Sequence, residues 1–281
     1  MKWYVTGMIA LLLVMTGCSS NQQEIETPAK QEEKQQEEIQ PEENQQADSA
    51  VNIEELIKST KINFVESHSL KLDTSMESTV KEDGNIQKGL MRVAGDLTFG
   101  PVGFHASMTE DEVTVEAYYV DDAAYVKPDG QDLWYKLPNT DTEGLSEFGN
   151  IKEETVKFLN FILSLKDDLK VTDEGGVYKI SYETTGNSNE IEKIITDSLD
   201  GLLIDANFVV NSLRYELSVQ KGSHEITESR VIMDLSLKNE SGVVMSRMII
   251  DTKSLFSDFN KLDKIVVPQE IINTASEIPS E

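Results

Sequence analysis

The sequence predicts an α+β fold, in which a large curved antiparallel sheet carries its helices on one face. Two observations predict it. Most of the chain after residue 50 alternates apolar and polar residues with a period of two, which is typical of strands with one face in water. Three segments instead begin with a helix-capping signature and continue with apolar residues at helical spacing. Strands in runs separated by single helices favour α+β over a parallel α/β arrangement.

The strands are predicted from apolar positions that alternate with charged or hydroxyl-bearing ones. The first run has Leu70, Leu72, Met76 and Val80 on one face. The other runs are Met91, Val93, Leu97, Phe99; Val102, Phe104, Ala106, Met108; Val113, Val115, Ala117, Tyr119; Leu213, Tyr215, Leu217, Val219; and Val231, Met233, Leu235, Leu237. Turn-forming residues separate them at Asp83-Gly84, Gly100-Pro101, Asp121-Asp122, Asp129-Gly130, Gly175-Gly176 and Lys221-Gly222.

Three helices are predicted from an Asn followed three residues later by a Glu. Asn52 and Glu55 form the first pair, and the signature recurs at Asn150 and Asn187. The apolar residues that follow are Leu56, Ile57, Ile62, Phe64; Phe158, Leu159, Ile162, Leu165; and Ile191, Ile194, Ile195, Leu199.

Cys18 indicates the location of the protein. It is the only cysteine, and it follows Lys2, an apolar run and Thr16-Gly17, which is the layout of a secretory signal peptide. The junction resembles a bacterial lipobox, in which the thiol receives a diacylglycerol and the chain is cut before it, although Met15 replaces the usual Leu. We therefore expect a signal peptide over 1–17 and a protein anchored by lipid to the extracytoplasmic face of the cell membrane. The alternative is a chance cysteine after an ordinary signal peptide.

Residues 18–50 are predicted to be a disordered tether that begins at the lipidated cysteine, and residues 51–281 the folded domain. The tether is rich in Gln and Glu and has no aromatic residue, so it cannot bury enough apolar surface to fold. The chain has 51 acidic and 25 basic side chains and a net charge of -26. That charge argues against nucleic acid and against electrostatic docking on anionic lipid.

Catalytic and metal-binding patterns are absent from the sequence, so we expect no enzyme activity and no cofactor. It has no nucleophile elbow, no zinc-protease motif and no phosphate-binding glycine loop. His68, His105 and His224 have no ligand spacing. The loop 139–150 resembles the start of a calcium loop at Asn139-x-Asp141-x-Glu143-Gly144, but its twelfth position is Asn150 rather than Glu. An acidic loop before a helix explains it equally well.

The methionines point to a hydrophobic ligand. Six of them lie on predicted strands, mostly on the apolar face, at positions 76, 91, 108, 233, 245 and 248. Methionine fills irregular gaps in a core, and it also suits a surface that adapts to a flexible apolar ligand. Both interpretations stay open from the sequence alone.

Several motifs resemble a family of uncharacterised lipoproteins from Gram-positive bacteria. They are the lipobox, the polar tether, Tyr125-Val126-Lys127-Pro128-x-Gly130, Trp134-Tyr135-Lys136-Leu137-Pro138 and Ile265-Val266-Val267-Pro268-Gln269-Glu270-Ile271 with Ala275. That family is similar in fold to LolA and LppX, so the resemblance implies a half-open antiparallel barrel with about three helices on its concave side. It implies a hydrophobic concavity and no established activity.

The leading hypothesis is a non-enzymatic protein that binds a lipid or other hydrophobic ligand between the sheet and a helical plug. The expected ligand-binding residues are Met76, Met91, Met108, Phe158, Phe161, Ile162, Leu165 and Met233. The first alternative is a protein-interaction or envelope-sensor module with a packed core, whose contact region is Leu133-Trp134-Tyr135-Lys136 and whose protein partner is unknown. The second alternative is an enzyme with a polar cleft.

Overall fold

The computed structural model describes residues 51–138, 151–186, 207–239 and 241–277. The predicted signal peptide, the predicted lipidation site Cys18 and the predicted tether lie outside these residues. The calcium-like loop 139–150 and the helix predicted after Asn187 also lie outside them.

Twelve strands of the described chain form one curved sheet. They are β1 (Ser69–Glu82), β2 (Asn85–Phe99), β3 (Val102–Glu110), β4 (Val113–Val120), β5 (Ala123–Lys127), β6 (Tyr135–Lys136), β7 (Lys170–Asp173), β8 (Val177–Thr185), β9 (Asn207–Gln220), β10 (Ile226–Lys238), β11 (Val244–Ser257) and β12 (Ser276–Glu277). The order across the sheet is β12-β6-β5-β4-β3-β2-β1-β11-β10-β9-β8-β7. Neighbours are antiparallel except β6 and β12. The predicted fold class is therefore confirmed.

The sheet has two wings that meet where β1 pairs with β11. In one wing, β1 to β6 follow one another in chain order, and in the other β7 to β11 do the same. The central pair is long, with a continuous register from Lys71 opposite Ser257 to Glu82 opposite Ser246. The edge strands β7 and β12 do not pair with each other, so the sheet is open.

Three helices are present in the described residues: α1 (Ile53–Glu66), α2 (Ile151–Ser164) and α3 (Gln269–Thr274). The predicted cap of α1 is confirmed, since the side chain of Asn52 accepts a hydrogen bond from the amide of Glu55 at 3.2 Å. Helix α2 begins one residue after the predicted cap Asn150. Helix α3 corresponds to none of the three predicted helices, because it has only six residues and no helical repeat of apolar positions. In the described part of the chain, no helix has the length and apolarity needed to cross a membrane.

The core lies between one face of the sheet and helices α1 and α2, and we call this face the concave face. Most residues predicted from the period of two are buried there, such as Leu70, Leu72 and Met76 of β1. Val102 and Val113 were predicted on the same face but are exposed, because each stands at the first position of its strand, beside a turn. Helix α1 contributes Leu56, Ile57 and Phe64. Helix α2 contributes Leu159 and Ile162.

The opposite, outer face of the sheet carries cross-strand ion pairs. Three of them are Arg92 with Asp73, Arg230 with Asp251 and Arg247 with Asp234. The alternation in the sequence thus separates an apolar face from a charged one.

Candidate ligand-binding site

The four methionines of the predicted site lie buried on the concave face. Met76 and Met91 are directly opposite each other on β1 and β2. Met108 lies on β3 and Met233 on β10, and both are also buried in the main core. The structure therefore places these side chains on the expected face, inside a packed interior.

The four predicted residues of α2 and its C-terminal end face the same core. Ile162 is fully buried, whereas Phe158, Phe161 and Leu165 are partly buried. The ring of Phe158 meets the ring of Tyr215 edge-on, with centroids 4.6 Å apart and planes at 72°. The ring of Phe161 lies 6.1 Å from that of Phe158. Phe158 therefore makes a direct contact between α2 and strand β9.

A small cavity lies beneath Phe158, between α2 and the strands of the second wing. Its volume is about 10 Å³, which is near the minimum that one water molecule needs. It is lined by Thr155, Phe158, Leu159, Tyr215, Leu217, Ile226, Ser229 and Phe256. Of the predicted ligand-binding residues, Phe158 alone is in this lining.

Two buried hydroxyl groups line the cavity without a hydrogen-bond partner among the described residues: Tyr215 Oη and Ser229 Oγ. Tyr215 is 1% exposed and Ser229 is 4% exposed. Burial raises the pKa of Tyr215 well above its ordinary value, and the Ser229 hydroxyl, which lies near Tyr215 Oη but outside hydrogen-bond geometry, partly opposes this rise. Tyr215 therefore keeps its proton at neutral pH and remains a hydrogen-bond donor.

Helix α2 lies antiparallel to α1, and polar contacts at both ends hold it there. Near its N-terminus, Lys152 donates a hydrogen bond of 2.5 Å to the carbonyl of Ser67, and burial lowers the pKa of Lys152. Beyond its C-terminus, Lys166 forms an ion pair of 2.8 Å with Glu54. The hydrogen bonds from Lys166 and Lys58 lower the pKa of Glu54 to about 2. Lys166 and Glu54 lie at the surface, so their ion pair contributes little to stability, whereas Lys152 is partly buried.

Sequence reasoning missed the polar part of the site. The period-two pattern predicts Tyr215 as an ordinary core residue of the concave face and assigns no role to Ser229. The available signal was a polar residue at an apolar position, because Ser229 continues the inward series Val231, Met233 and Leu235. A hydroxyl in such a series either pairs with a neighbour or stays unsatisfied, and the sequence does not distinguish these outcomes.

A second apolar cluster lies on the outer face, where α3 packs on β4 and β5. Tyr125, Val267 and Ile271 form its buried centre. Trp134, from the predicted contact region, is partly buried there, with its ring 5.5 Å from that of Tyr118. Its neighbour Leu133 is 53% exposed.

The three histidines lie in separate places. The backbone of His68 bonds to Asn260, His105 stacks on Tyr118 at 4.0 Å, and His224 lies in a turn with positive φ. Within the described ranges, no group of three or more His, Cys, Asp or Glu side chains is placed to hold a metal ion.

The fold and the cavity together define a class of protein: an open antiparallel sheet whose apolar concave face is covered by helices. The chain belongs to a family of unknown function, DUF6612, whose model matches residues 52–276. The predicted membership of an uncharacterised family is confirmed. Among curated protein sequences, none matches the chain.

Several solved structures are similar to this chain. One is the lipoprotein LppX of Mycobacterium tuberculosis, with 13% identity, 76% of this chain and 97% of that chain covered, and a TM-score of 0.39. Another is LprF of Mycobacterium bovis, with 11% identity, 76% and 95% covered, and a TM-score of 0.45. A LolA superfamily protein of Nitrosomonas europaea has 9% identity, 79% and 97% covered, and a TM-score of 0.23.

Proposed function

We propose that this protein is a lipid-anchored, extracytoplasmic binding protein that holds a hydrophobic or amphipathic ligand between its concave face and helix α2, and that it catalyses no reaction. The observation that carries the proposal is the cavity beneath Phe158, at the junction of α2 with the apolar face. The cavity is a starting point for the ligand, and a larger space opens when α2 moves away from β9 and β10.

Helix α2 is the element best suited to move. Its buried residues are Leu159 and Ile162, whereas α1 buries Leu56, Ile57, Thr60 and Phe64. The Lys166–Glu54 ion pair at its C-terminal end is exposed and weak, and at its N-terminal end Lys152 makes a single, partly buried hydrogen bond to Ser67. Burial of an acyl chain gains about 0.8 kcal/mol per methylene, so a chain of a dozen methylenes can offset the displacement of the helix.

The lipid anchor in this proposal is attached to the thiol of Cys18. Cells that express the full chain should incorporate a labelled fatty acid into it and retain it in the membrane fraction. The Cys18→Ala chain should carry no label. Labelling of that variant would contradict the role of Cys18.

The ligand site is tested with two matched substitutions in the Cys18→Ala chain. Phe158→Ala removes a ring that lines the cavity, so uptake of a fluorescent fatty acyl probe should become faster or tighter. Phe161→Ala removes a neighbouring, similarly half-buried ring that is not in the cavity lining, and it should change uptake much less. Both variants should lose stability, by up to about 3 kcal/mol. If wild type and Phe158→Ala both take up no probe, the proposed ligand binding is wrong.

The alternative function is a protein-interaction module that uses the outer cluster. Three exposed apolar residues around that cluster favour it: Leu133, Val266 and Ile272. A photo-crosslinking residue at Leu133 should then capture a specific protein on intact cells. The control is the same residue at Val113, which is equally exposed at the start of β4. Equal labelling at both positions would reject the outer cluster as an interface.

A further inference from the structure

Tyr215 and Ser229 carry two of the three hydroxyls that are buried without a hydrogen-bond partner among the described residues; the third, on Thr252, does not line the cavity. Each belongs to a side chain that is more than nine-tenths buried, and each faces the cavity. Leaving a buried hydroxyl unsatisfied costs more free energy than a typical intramolecular hydrogen bond gains. Two such groups on adjacent strands at one cavity indicate a binding site, in which a bound molecule supplies the missing hydrogen-bond partner.

The neighbouring hydroxyls show how this face satisfies polar groups when it can. Ser229 is opposite Ser254 on β11, and Ser254 is opposite Thr74 on β1. Ser254 and Thr74 bond to each other at 2.9 Å. Ser229 is thus left at the end of this row, next to the cavity, with Tyr215 diagonally across from it on β9.

We propose that Tyr215 Oη and Ser229 Oγ bind a neutral hydrogen-bond acceptor of the ligand, such as the carbonyl of an ester or amide. This inference rests on the proposed function, and it names the chemical class of the ligand. With α2 moved away from the sheet, the acceptor lies at the two hydroxyls, and the apolar chain follows the wall formed by Leu217, Ile226 and Phe256.

The lining favours a neutral group over a charged one. None of the described residues that line the cavity carries a charge. A carboxylate buried there would lose its hydration with no cation to compensate, which is costly in an apolar interior. An ester carbonyl loses little hydration and accepts from both hydroxyls, which are held as donors by the protonated state of Tyr215 and the free rotation of the Ser229 hydroxyl.

The test compares three probes of equal chain length on the Cys18→Ala protein: methyl hexadecanoate, hexadecanoate and hexadecane, each delivered from cyclodextrin. Affinity is measured by displacement of a fluorescent acyl probe. The wild-type cavity should bind the ester about tenfold more tightly than the hydrocarbon, as two modest hydrogen bonds predict. It should also bind the ester more tightly than the carboxylate.

The double variant Tyr215→Phe, Ser229→Ala should lose the preference for the ester and keep its affinity for the hydrocarbon within about twofold. The single variant Tyr215→Phe should lose part of the preference for the ester, and it replaces the double variant in the test if the double variant does not fold. The control is Tyr182→Phe, the same change at the residue opposite Tyr215 on β8 and outside the cavity lining, which should keep the full preference.

The outcomes separate this inference from the proposed function. A wild-type protein that binds ester and hydrocarbon equally, or that prefers the carboxylate, overturns the hydroxyl site and leaves hydrophobic binding intact. The hydroxyl site is also overturned if Tyr215→Phe and the double variant Tyr215→Phe, Ser229→Ala keep the full preference for the ester. Failure of all three probes to bind overturns the proposed function as well.

Discussion

Tyr215→Phe should leave the stability of the empty protein unchanged or raise it, in contrast to most substitutions of a fully buried residue. The change removes one oxygen atom and keeps the ring that packs against Phe158 at 4.6 Å. Among the described residues, that oxygen has no hydrogen-bond partner. The matched comparison is Tyr119→Phe, because Tyr119 is also buried but donates a hydrogen bond of 3.0 Å to Asp122.

The expected difference between the two variants follows from their hydrogen bonding. Removing an unsatisfied buried hydroxyl relieves a desolvation cost, so Tyr215→Phe should gain about 0–2 kcal/mol. Removing a hydroxyl that bonds to a carboxylate should cost about 1–2 kcal/mol, so Tyr119→Phe should be destabilised. In a domain of this size, 1 kcal/mol corresponds to about 2–4 °C in Tm.

The effect should depend on pH in a defined direction. Burial raises the pKa of Tyr215 in the folded state above the unfolded value of about 10. Below about pH 10, Tyr215 is protonated in both the folded and the unfolded state and has no effect on the pH dependence of stability. As the pH rises above about 10, the unfolded chain loses this proton first, so the free energy of unfolding of the wild-type protein falls. Above that pH, the advantage of Tyr215→Phe should grow by about 1.4 kcal/mol per pH unit.

The assay is urea unfolding of the Cys18→Ala chain and its variants, followed by circular dichroism at pH 7 and at two pH values above 10. Equal m-values ensure that the midpoints report stability. A loss of more than about 1 kcal/mol in Tyr215→Phe at pH 7 would mean that the hydroxyl is satisfied in the folded protein. That result would remove the physical basis of the proposed ester site.

Three further predictions concern the stability of the sheet and of helix α1. Gly95→Ala should destabilise the protein by more than about 2 kcal/mol, because the added Cβ would lie 2.4 Å from a backbone oxygen of β3. The control Gly89→Ala should cost far less, because its added Cβ meets only the movable side chain of a serine. Thermal melts of the two variants measure the difference. Asn52→Ala should cost about 1 kcal/mol through loss of the α1 cap, and Asn52→Asp should restore it, as measured by urea unfolding. Arg247→Gln should slightly lower the stability at pH 7, because it breaks the cross-strand ion pair with Asp234. Because Arg247 lowers the pKa of Asp234, that stabilisation is present above about pH 4 and is lost in more acidic solution, so the wild type and the variant should converge as the pH falls.

Most of the fold could be predicted because its signals are local. The alternation of apolar residues in β1 depends only on which face each side chain enters, and the cap at Asn52 depends on a spacing of three residues. Other features depend on contacts between distant parts of the chain. The pairing of β1 with β11 joins segments about 180 residues apart, and no residue in either strand specifies its partner.

The site was predicted less completely, for a physical reason. Phe158 could be placed at the sheet because helical spacing assigns it to the apolar side of α2. Whether Tyr215 and Ser229 pair with a neighbour depends on distances and angles between side chains on adjacent strands. Those quantities are set by the register of β9 and β10, which includes two irregularities. A sequence pattern shows on which face of the sheet a side chain lies, but it does not give the distances and angles between side chains on neighbouring strands.

The central pairing of β1 with β11 also sets the order in which the domain can be completed during synthesis. Strands β1 to β6 leave the ribosome well before β11, so one side of β1 has no partner until nearly the whole domain has been made. An unpaired strand edge with an apolar face is prone to join other chains. Nascent chains that end before Val244 should therefore require a chaperone, and chains that extend past Ser257 should be released from it.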